Sequence, residues 1–264
     1  MSLQDVHNWL KEADALIVTT GNGFAKDEGL DIFDKTSFKN NYPDIAEKYH
    51  VTNIAETLNI EFDSWEEKWN FWSKLVNHYS LNYRESSNMK KLAEVIKDKP
   101  YFIANSSFGH FFENSGFDER KLFNIAGDWT KMQCSSGQFH GKLDASNIIE
   151  EFIAGKGKVP VCSECGAPME LYLPLNNHFY PDEGANTHFR WFLMRNQDQK
   201  VVVISLGVED TDIQLRNPLT SLVAQHPTWH YITNQNQEEL PESIQKQSMG
   251  KELSIDKFLT ELKG

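Results

Sequence analysis

The sequence predicts an α/β protein built on a doubly wound parallel sheet, and three observations carry that expectation. Short apolar runs without polar alternation recur along the chain, as strands buried on both faces should. Segments of helical spacing lie between them, which is the order a parallel sheet requires. The first apolar run passes directly into a Gly-x-Gly turn at Gly21 and Gly23.

Taken in order, Val6, Trp9, Leu10 and Ala13 give one face of a first helix, and 15–20 (Ala-Leu-Ile-Val-Thr-Thr) gives the first strand. From about 35 to 85 the chain is rich in aromatic residues and has no convincing strand, so 35–85 reads as a helical insertion packed beside the sheet. Its stripe Trp65, Trp69, Trp72 and Val76 is expected in the core rather than around a cofactor. Met89, Leu92, Ala93 and Ile96 mark a further helix, followed by strands at 101–104 and 122–125. Between 134 and 195 glycines, prolines and Cys162-Ser-Glu-Cys165 indicate a small loop-rich module. Strands at 201–206 and 229–233 return to the sheet, and Ile255, Phe258, Leu259 and Leu262 form a last helical face. The division is therefore 1–34, 86–133 and 196–264 for the sheet domain, 35–85 for the insertion and 134–195 for the module.

Composition excludes some roles. A net charge of −12 argues against a nucleic-acid backbone as the main ligand. No stretch approaches the ~20 continuous apolar residues of a membrane span. Met1-Ser-Leu-Gln-Asp-Val lacks the charged and apolar regions of a signal peptide, so a cytoplasmic location is the expectation. Small molecules or proteins are the expected ligands.

Two motifs carry chemistry. Glycine lacks a Cβ, so Gly21, Asn22 and Gly23 can turn sharply and bring backbone N–H groups against a pyrophosphate at a helix start. The full Gly-x-Gly-x-x-Gly is absent, since Lys26 stands at the third position and Gly29 follows three residues later. A structural strand-to-helix turn is the competing explanation. Cys162-Ser-Glu-Cys-Gly166 has the form of a zinc knuckle, with Cys134 the only other cysteine and His140 a candidate fourth ligand. The alternative is a degenerate knuckle that folds without metal.

The order of these features resembles a sirtuin. Thr20-Gly-Asn-Gly23 with Glu28-Gly-Leu30, Asn105 after a strand, Gly127, Cys134, the cysteine pair, Leu206-Gly-Val208 and Ile232-Thr-Asn234 follow the family's order over roughly residues 5–235. The family pattern Gly-Ala-Gly-x-Ser-x-x-Ser-Gly-Ile-Pro-Asp-Phe-Arg falls on Gly21 to Asp34, with Gly21, Gly23, Gly29 and Phe33 retained. Within the family, Gly127-Asp-Trp129, Gln133-Cys134, Cys165-Gly-Ala-Pro-Met169 and Arg216-Asn-Pro-Leu219 look closest to the bacterial macrodomain-linked class. The resemblance implies a Rossmann-like NAD-binding domain with a zinc-ribbon-like module. It implies NAD or ADP-ribose held by Gly21, Asn22, Gly23, Gly29, Phe33, Asn105, Gly207, Val208 and Asn234, and zinc held by Cys134, Cys162 and Cys165. For the macrodomain-linked class it also implies ADP-ribosylation of a protein acceptor, a lipoyl-carrier protein being the one associated with that class.

The departures bear on chemistry. The position of the usual catalytic histidine is Ala126, which cannot move a proton, so ordinary deacylation of acetyl-lysine peptides is not expected. Ser107 and Asp34 replace an aspartate and an arginine of the family pattern. Asn105 is the expected catalytic survivor, orienting the ribose, with capping of the strand end as its alternative role. His110, five residues on, is a candidate replacement base or a structural histidine. The expected function is an NAD-dependent protein ADP-ribosyltransferase; an NAD- or ADP-ribose-binding pseudoenzyme and an NAD hydrolase are the alternatives.

Overall fold

In the computed structural model, residues 2–175, 179–209 and 212–263 are described. Their strands are β1 (Ala15–Thr20), β2 (Tyr101–Asn105), β3 (Leu122–Asn124), β4 (Asp128–Cys134), β5 (Lys142–Asp144), β6 (Met169–Tyr172), β7 (Val201–Leu206), β8 (Trp229–Thr233) and β9 (Ser248–Gly250). Six of them form a parallel sheet in the order β3-β2-β1-β7-β8-β9. A second, antiparallel sheet has the order β5-β4-β6.

The central strand shows why the apolar runs lack alternation. Leu16 and Val18 join the apolar core on one face, whereas Ala15 and Ile17 join the core on the other. Period-2 side-chain alternation therefore needs apolar residues at every position. Helices Leu3–Glu12, Ser87–Ile96 and Ile255–Lys263 contribute Val6, Met89, Leu92, Phe258 and Leu259 to the first face. Helix Ile213–Gln225 contributes Leu219 and Val223 to the second.

Several elements depart from the sequence reading, which named no strand in the smaller sheet and placed 128–133, most of β4, in the sheet domain. Helix Glu183–Asn196, which that reading placed in the loop-rich module, packs on the large sheet through Phe189 and Phe192 against Phe102 and through Phe189 against Phe123. None of its residues is fully buried, so its apolar period is weak in sequence. Strand β9 pairs Ser248 with Tyr231, and its three residues at the sheet edge are too short and polar to announce a strand.

Between residues 35 and 85 the chain forms helices Lys35–Asn41, Pro43–Tyr49, Ile54–Thr57 and Trp65–Val76, the last extended by a π turn at Asn77–Leu81. Asp34, Asn53 and Ser64 cap three of these by accepting hydrogen bonds from first-turn N–H groups. Trp69 and Trp72 are buried, as expected for a core stripe. Trp69 also ties the helices to the smaller sheet, because its indole N–H donates to the Met169 carbonyl at 2.9 Å and its ring stacks on Phe152.

The strand ends define where a ligand can lie. Thr20 is level with Asn105 and Leu206, Asn105 with Asn124, and Ser205 with Thr233, so the carboxyl ends of five strands share one edge. The chain moves outward from β1 to β2 and β3 on one side and from β7 to β8 on the other. The crevice above β1 and β7 is thus the topological switch point, where open α/β sheets take ligands.

Candidate functional site

Three glycine backbones close together at this switch point. Gly21 caps helix Asn22–Asp27, and its N–H donates to the Leu206 carbonyl at 3.2 Å. The Gly23 N–H donates to the Gly207 carbonyl at 2.9 Å. Gly207 has φ +57°, and a Cβ there would lie 2.2 Å from the Phe24 nitrogen. A Cβ on Gly21 would lie 2.5 Å from the Gly207 carbonyl oxygen. Glycine is required here by backbone-to-backbone contact as well as by conformation.

An internal anion sits on this cradle. The Asp212 carboxylate, 5% exposed, accepts from the Glu209 N–H at 2.9 Å and the Asn22 N–H at 3.4 Å, and from the Ser106 hydroxyl at 2.7 Å. Its donors follow β1, β2 and β7, so one carboxylate joins three strand ends. Nothing in the sequence marks this role, because Asp212 closes the acidic run Glu209-Asp-Thr-Asp and reads there as solvated surface.

Asn234 completes the edge at β8: its Oδ1 accepts the Gly207 N–H at 2.8 Å and its amide donates to Leu253. Val208 is buried against Ala104 and Leu215. The structure therefore gathers Gly21, Asn22, Gly23, Gly207, Val208 and Asn234 at one edge. Gly29, exposed with φ +99°, ends helix Asn22–Asp27, and its role is conformational. Phe33 is 48% exposed on the loop that follows, where its N–H donates to Asp31.

Asn105, at the end of β2, has all four side-chain positions engaged. Its Oδ1 accepts from the Thr20 hydroxyl and the Ser107 N–H, each at 3.0 Å, and its amide donates to the Ser107 carbonyl and to Asn124 Oδ1. In this state the side chain organises the loop after β2 and presents no free group. Ala126 lies in the turn between β3 and β4, half-buried against the main core. The next residue, Gly127, has φ +85°, with the Tyr172 carbonyl 2.2 Å from where its Cβ would be.

Beside that turn stands a titratable cluster. His110 Nδ1 is 2.8 Å from Asp128 Oδ2 and 3.7 Å from Glu113 Oε2, and Lys131 Nζ is 3.5 Å from the same Asp128 oxygen. Asp128 Oδ1 accepts from the Thr130 N–H and hydroxyl. Burial works against a charged His110, but the hydrogen bond and negative charge of Asp128, with Glu113 behind it, outweigh it and lift the imidazole above its ordinary value. Burial likewise opposes ionisation of Asp128, yet His110, Lys131 and Thr130 hold that carboxyl below its usual range. Glu113 is pushed up by burial, against the opposing pull of His110. Its Oε1 accepts from Asn124, which accepts in turn from Asn105, so the cluster is wired to the end of β2.

The cysteine module brings four donors together. Cys134 at the end of β4, His140, Cys162 and Cys165 have ligand atoms all within 4.8 Å of one another. Cys134 Sγ is 3.5 Å from Cys165 Sγ, and Cys162 Sγ is 3.3 Å from His140 Nδ1. These separations approach the ~3.5–3.8 Å edges of a tetrahedron with ordinary zinc–sulfur and zinc–nitrogen bonds. Gly166, with φ +72°, lets the knuckle turn back so that its N–H donates to the Cys162 carbonyl. The donor set fits a structural zinc ion with His140 as the fourth ligand, and it lies outside the crevice above β1 and β7.

No protein-family model matches the chain. It is similar to a protein ADP-ribosyltransferase of Staphylococcus aureus, 24% identical over 265 residues that cover 95% of this chain and 84% of the relative. A probable bifunctional ADP-ribose hydrolase/ADP-ribosyltransferase of Fusarium oxysporum is 22% identical over 242 residues, covering 84% of this chain but only 40% of that longer protein. Among solved structures, a Sir2 homologue in complex with NAD matches with TM-score 0.64 and 13% identity over 98% of this chain and 92% of that one. A Sir2 homologue variant in complex with ADP-ribose matches with TM-score 0.65 and 15% identity over 100% and 95%.

Proposed function

From a chain that is sirtuin-like in fold and carries an anion cradle at its switch point, we propose an NAD-dependent protein ADP-ribosyltransferase. The cradle carries the reading: backbone N–H groups and a hydroxyl from three strand ends already hold one anion where a pyrophosphate would lie. The names of the two relatives, both transferases of ADP-ribose, and the two neighbours with NAD and ADP-ribose support the choice of nucleotide.

In this reading residues 1–34, 86–133 and 196–264 bind NAD, 35–85 pack beside it, and 134–195 form the zinc module apart from helix Glu183–Asn196, which packs on the large sheet. The turn Gly21-Asn22-Gly23 takes the pyrophosphate on the Asn22 N–H as Asp212 withdraws, the two glycines shaping the turn with their own N–H groups bonded to Leu206 and Gly207, and Gly207, Val208 and Asn234 flank the adenosine. Gly29 and Phe33 serve the site indirectly, by ending the first helix and shaping the loop after it. Asn105 positions the nicotinamide ribose. The chemistry asked of the protein is modest, because NAD carries its own leaving group and departure of nicotinamide needs ribose positioning and exclusion of water. A protein acceptor, with a lipoyl carrier as the first to try and the cytoplasm as the compartment, then captures ADP-ribose.

Calorimetric titration with ADP-ribose tests the binding half, and absence of heat at millimolar ligand in folded protein would sink it. Acceptor-dependent release of nicotinamide tests the transfer half. Replacement of Asn105 by alanine is expected to slow that release about 100-fold, the scale of losing one positioning contact. Two observations favour binding without turnover as the second reading: Ala126 offers no proton-transfer group, and the Asn105 side chain is fully engaged. Tight ADP-ribose binding with no nicotinamide release across acceptors would select it. Steady release without an acceptor would indicate hydrolysis.

A further inference from the structure

Resting on that reading, we propose that His110, held by Asp128, is the group that takes the proton from the incoming nucleophile. The backbone, the carboxylate partner and the network around this residue converge on that role.

His110 has φ +60°, a left-handed conformation that is unfavourable for a non-glycine residue and that clusters at functional sites. The surroundings impose it. Ser80 donates to the Gly109 carbonyl at 2.5 Å, the Gly109 N–H donates to the Ser107 hydroxyl, and Phe111 and Phe112 anchor the following turn in the core. The strained backbone sets the imidazole against Asp128, whose carboxylate is 3% exposed and fixed by Thr130. With Nδ1 committed to that carboxylate, Nε2 is the atom available to exchange a proton. The imidazole is not sealed off, since its side chain keeps 19% of its exposure.

The position fits the step. Asp128 lies two residues past Ala126, so the dyad borders the turn that lacks a titratable side chain. Glu113 and Asn124 connect it to Asn105 at the end of β2. As the nucleophile's lone pair bonds to C1′ of the nicotinamide ribose, the C1′–N electron pair leaves with neutral nicotinamide. The nucleophile's O–H or N–H proton passes to Nε2 of His110, and Asp128 stabilises the imidazolium until solvent takes the proton. The charged groups facing His110 are Asp128, Glu113 and Lys131; the carboxylates favour imidazolium and the ammonium opposes it. His110 is a base only after deprotonation, so the rate should rise with pH and level off above the ordinary histidine range.

The test has an arm that needs no acceptor. The His110 ring signals are followed by NMR through a pH titration of the full chain, with and without ADP-ribose at a concentration that calorimetry shows to be saturating. A His110 titration point above the ordinary value that shifts on ADP-ribose binding supports the proposal. Bound ADP-ribose that leaves the His110 signals unmoved overturns it while the reading of the cradle stands. Absence of ADP-ribose binding overturns the reading, and the proposal with it.

Nicotinamide release from NAD gives the second arm. His110→Asn, chosen because asparagine tolerates the left-handed backbone, should lose about 100-fold in rate together with the rise with pH. Asp128→Asn, which keeps the shape, should move that rise to lower pH. A His110→Asn protein with the wild-type rate and pH profile overturns the proposal.

Discussion

Gly207→Ala is expected to destabilise the protein by about 3 kcal/mol or more, adding overpacking to left-handed strain, and to lower Tm by roughly 10 °C. The added Cβ would meet the Phe24 nitrogen at 2.2 Å and the Gly23 carbonyl carbon at 2.6 Å, both of them backbone, so no side chain can rotate out of the way. Gly29→Ala separates the two contributions. Its φ of +99° is also left-handed, but a Cβ there meets nothing within 4 Å, so only the conformational cost of about 1 kcal/mol applies. Thermal unfolding of the two variants decides the matter, and equal losses would show that close approach at the crevice contributes nothing. Gly207→Ala should also abolish ADP-ribose binding in whatever protein remains folded, because the N–H of residue 23 and the Asn234 contact are held by this residue.

The second large effect is expected from the metal site. Protein prepared without chelator should contain about one zinc per chain, and Cys162→Ser should lose most of it. Cys162 is buried whereas Cys165 is exposed, so the inner ligand is the more damaging one to replace. Removing the ion leaves the four donor atoms crowded within 4.8 Å of one another, and the module holding β4, β5 and β6 should loosen around them. Trp69 reports this, since its indole bonds to Met169 of β6, and its fluorescence should change on chelation. A zinc-free wild-type protein, well folded and indifferent to chelator, would establish the knuckle as degenerate.

What could be read in the sequence follows the range of the forces involved. Buried parallel strands need apolar residues at every position, so β1, β2, β7 and β8 were legible as runs, and helices with one apolar face were legible by their period. Helix Glu183–Asn196 was not, because it lies half-exposed on the sheet and three phenylalanine contacts hold it. The glycine turn was visible and the resemblance named Gly207, but the close backbone approach of Gly207 to Gly23 and Phe24 shows only when β1 and β7 are side by side. Cys134, His140, Cys162 and Cys165 were found by ligand type, and the fold supplies the distances. Asp128 and Asp212 escaped because an acidic residue shows its function only through what it accepts from. Two of the three partners of Asp212 are 190 and 106 residues distant in sequence. Asn105 was seen as a group facing a ligand, yet its four hydrogen bonds all run inward to the chain.

The Asp212 carboxylate has a consequence for selectivity among anions. A bare nest of N–H groups would attract inorganic phosphate, which cells hold at high concentration and which would then inhibit by occupancy. A tethered carboxylate competes as an intramolecular ion at high effective concentration, so a small free anion gains too little to displace it. A dinucleotide can add contacts along β7 and β8 that a lone phosphate lacks. Inorganic phosphate is therefore expected to compete weakly with ADP-ribose in the wild-type protein and several-fold better in Asp212→Ala, which displacement titrations would measure directly. On this view the Asp212 carboxylate acts as a filter, admitting a ligand by its length as well as by its charge.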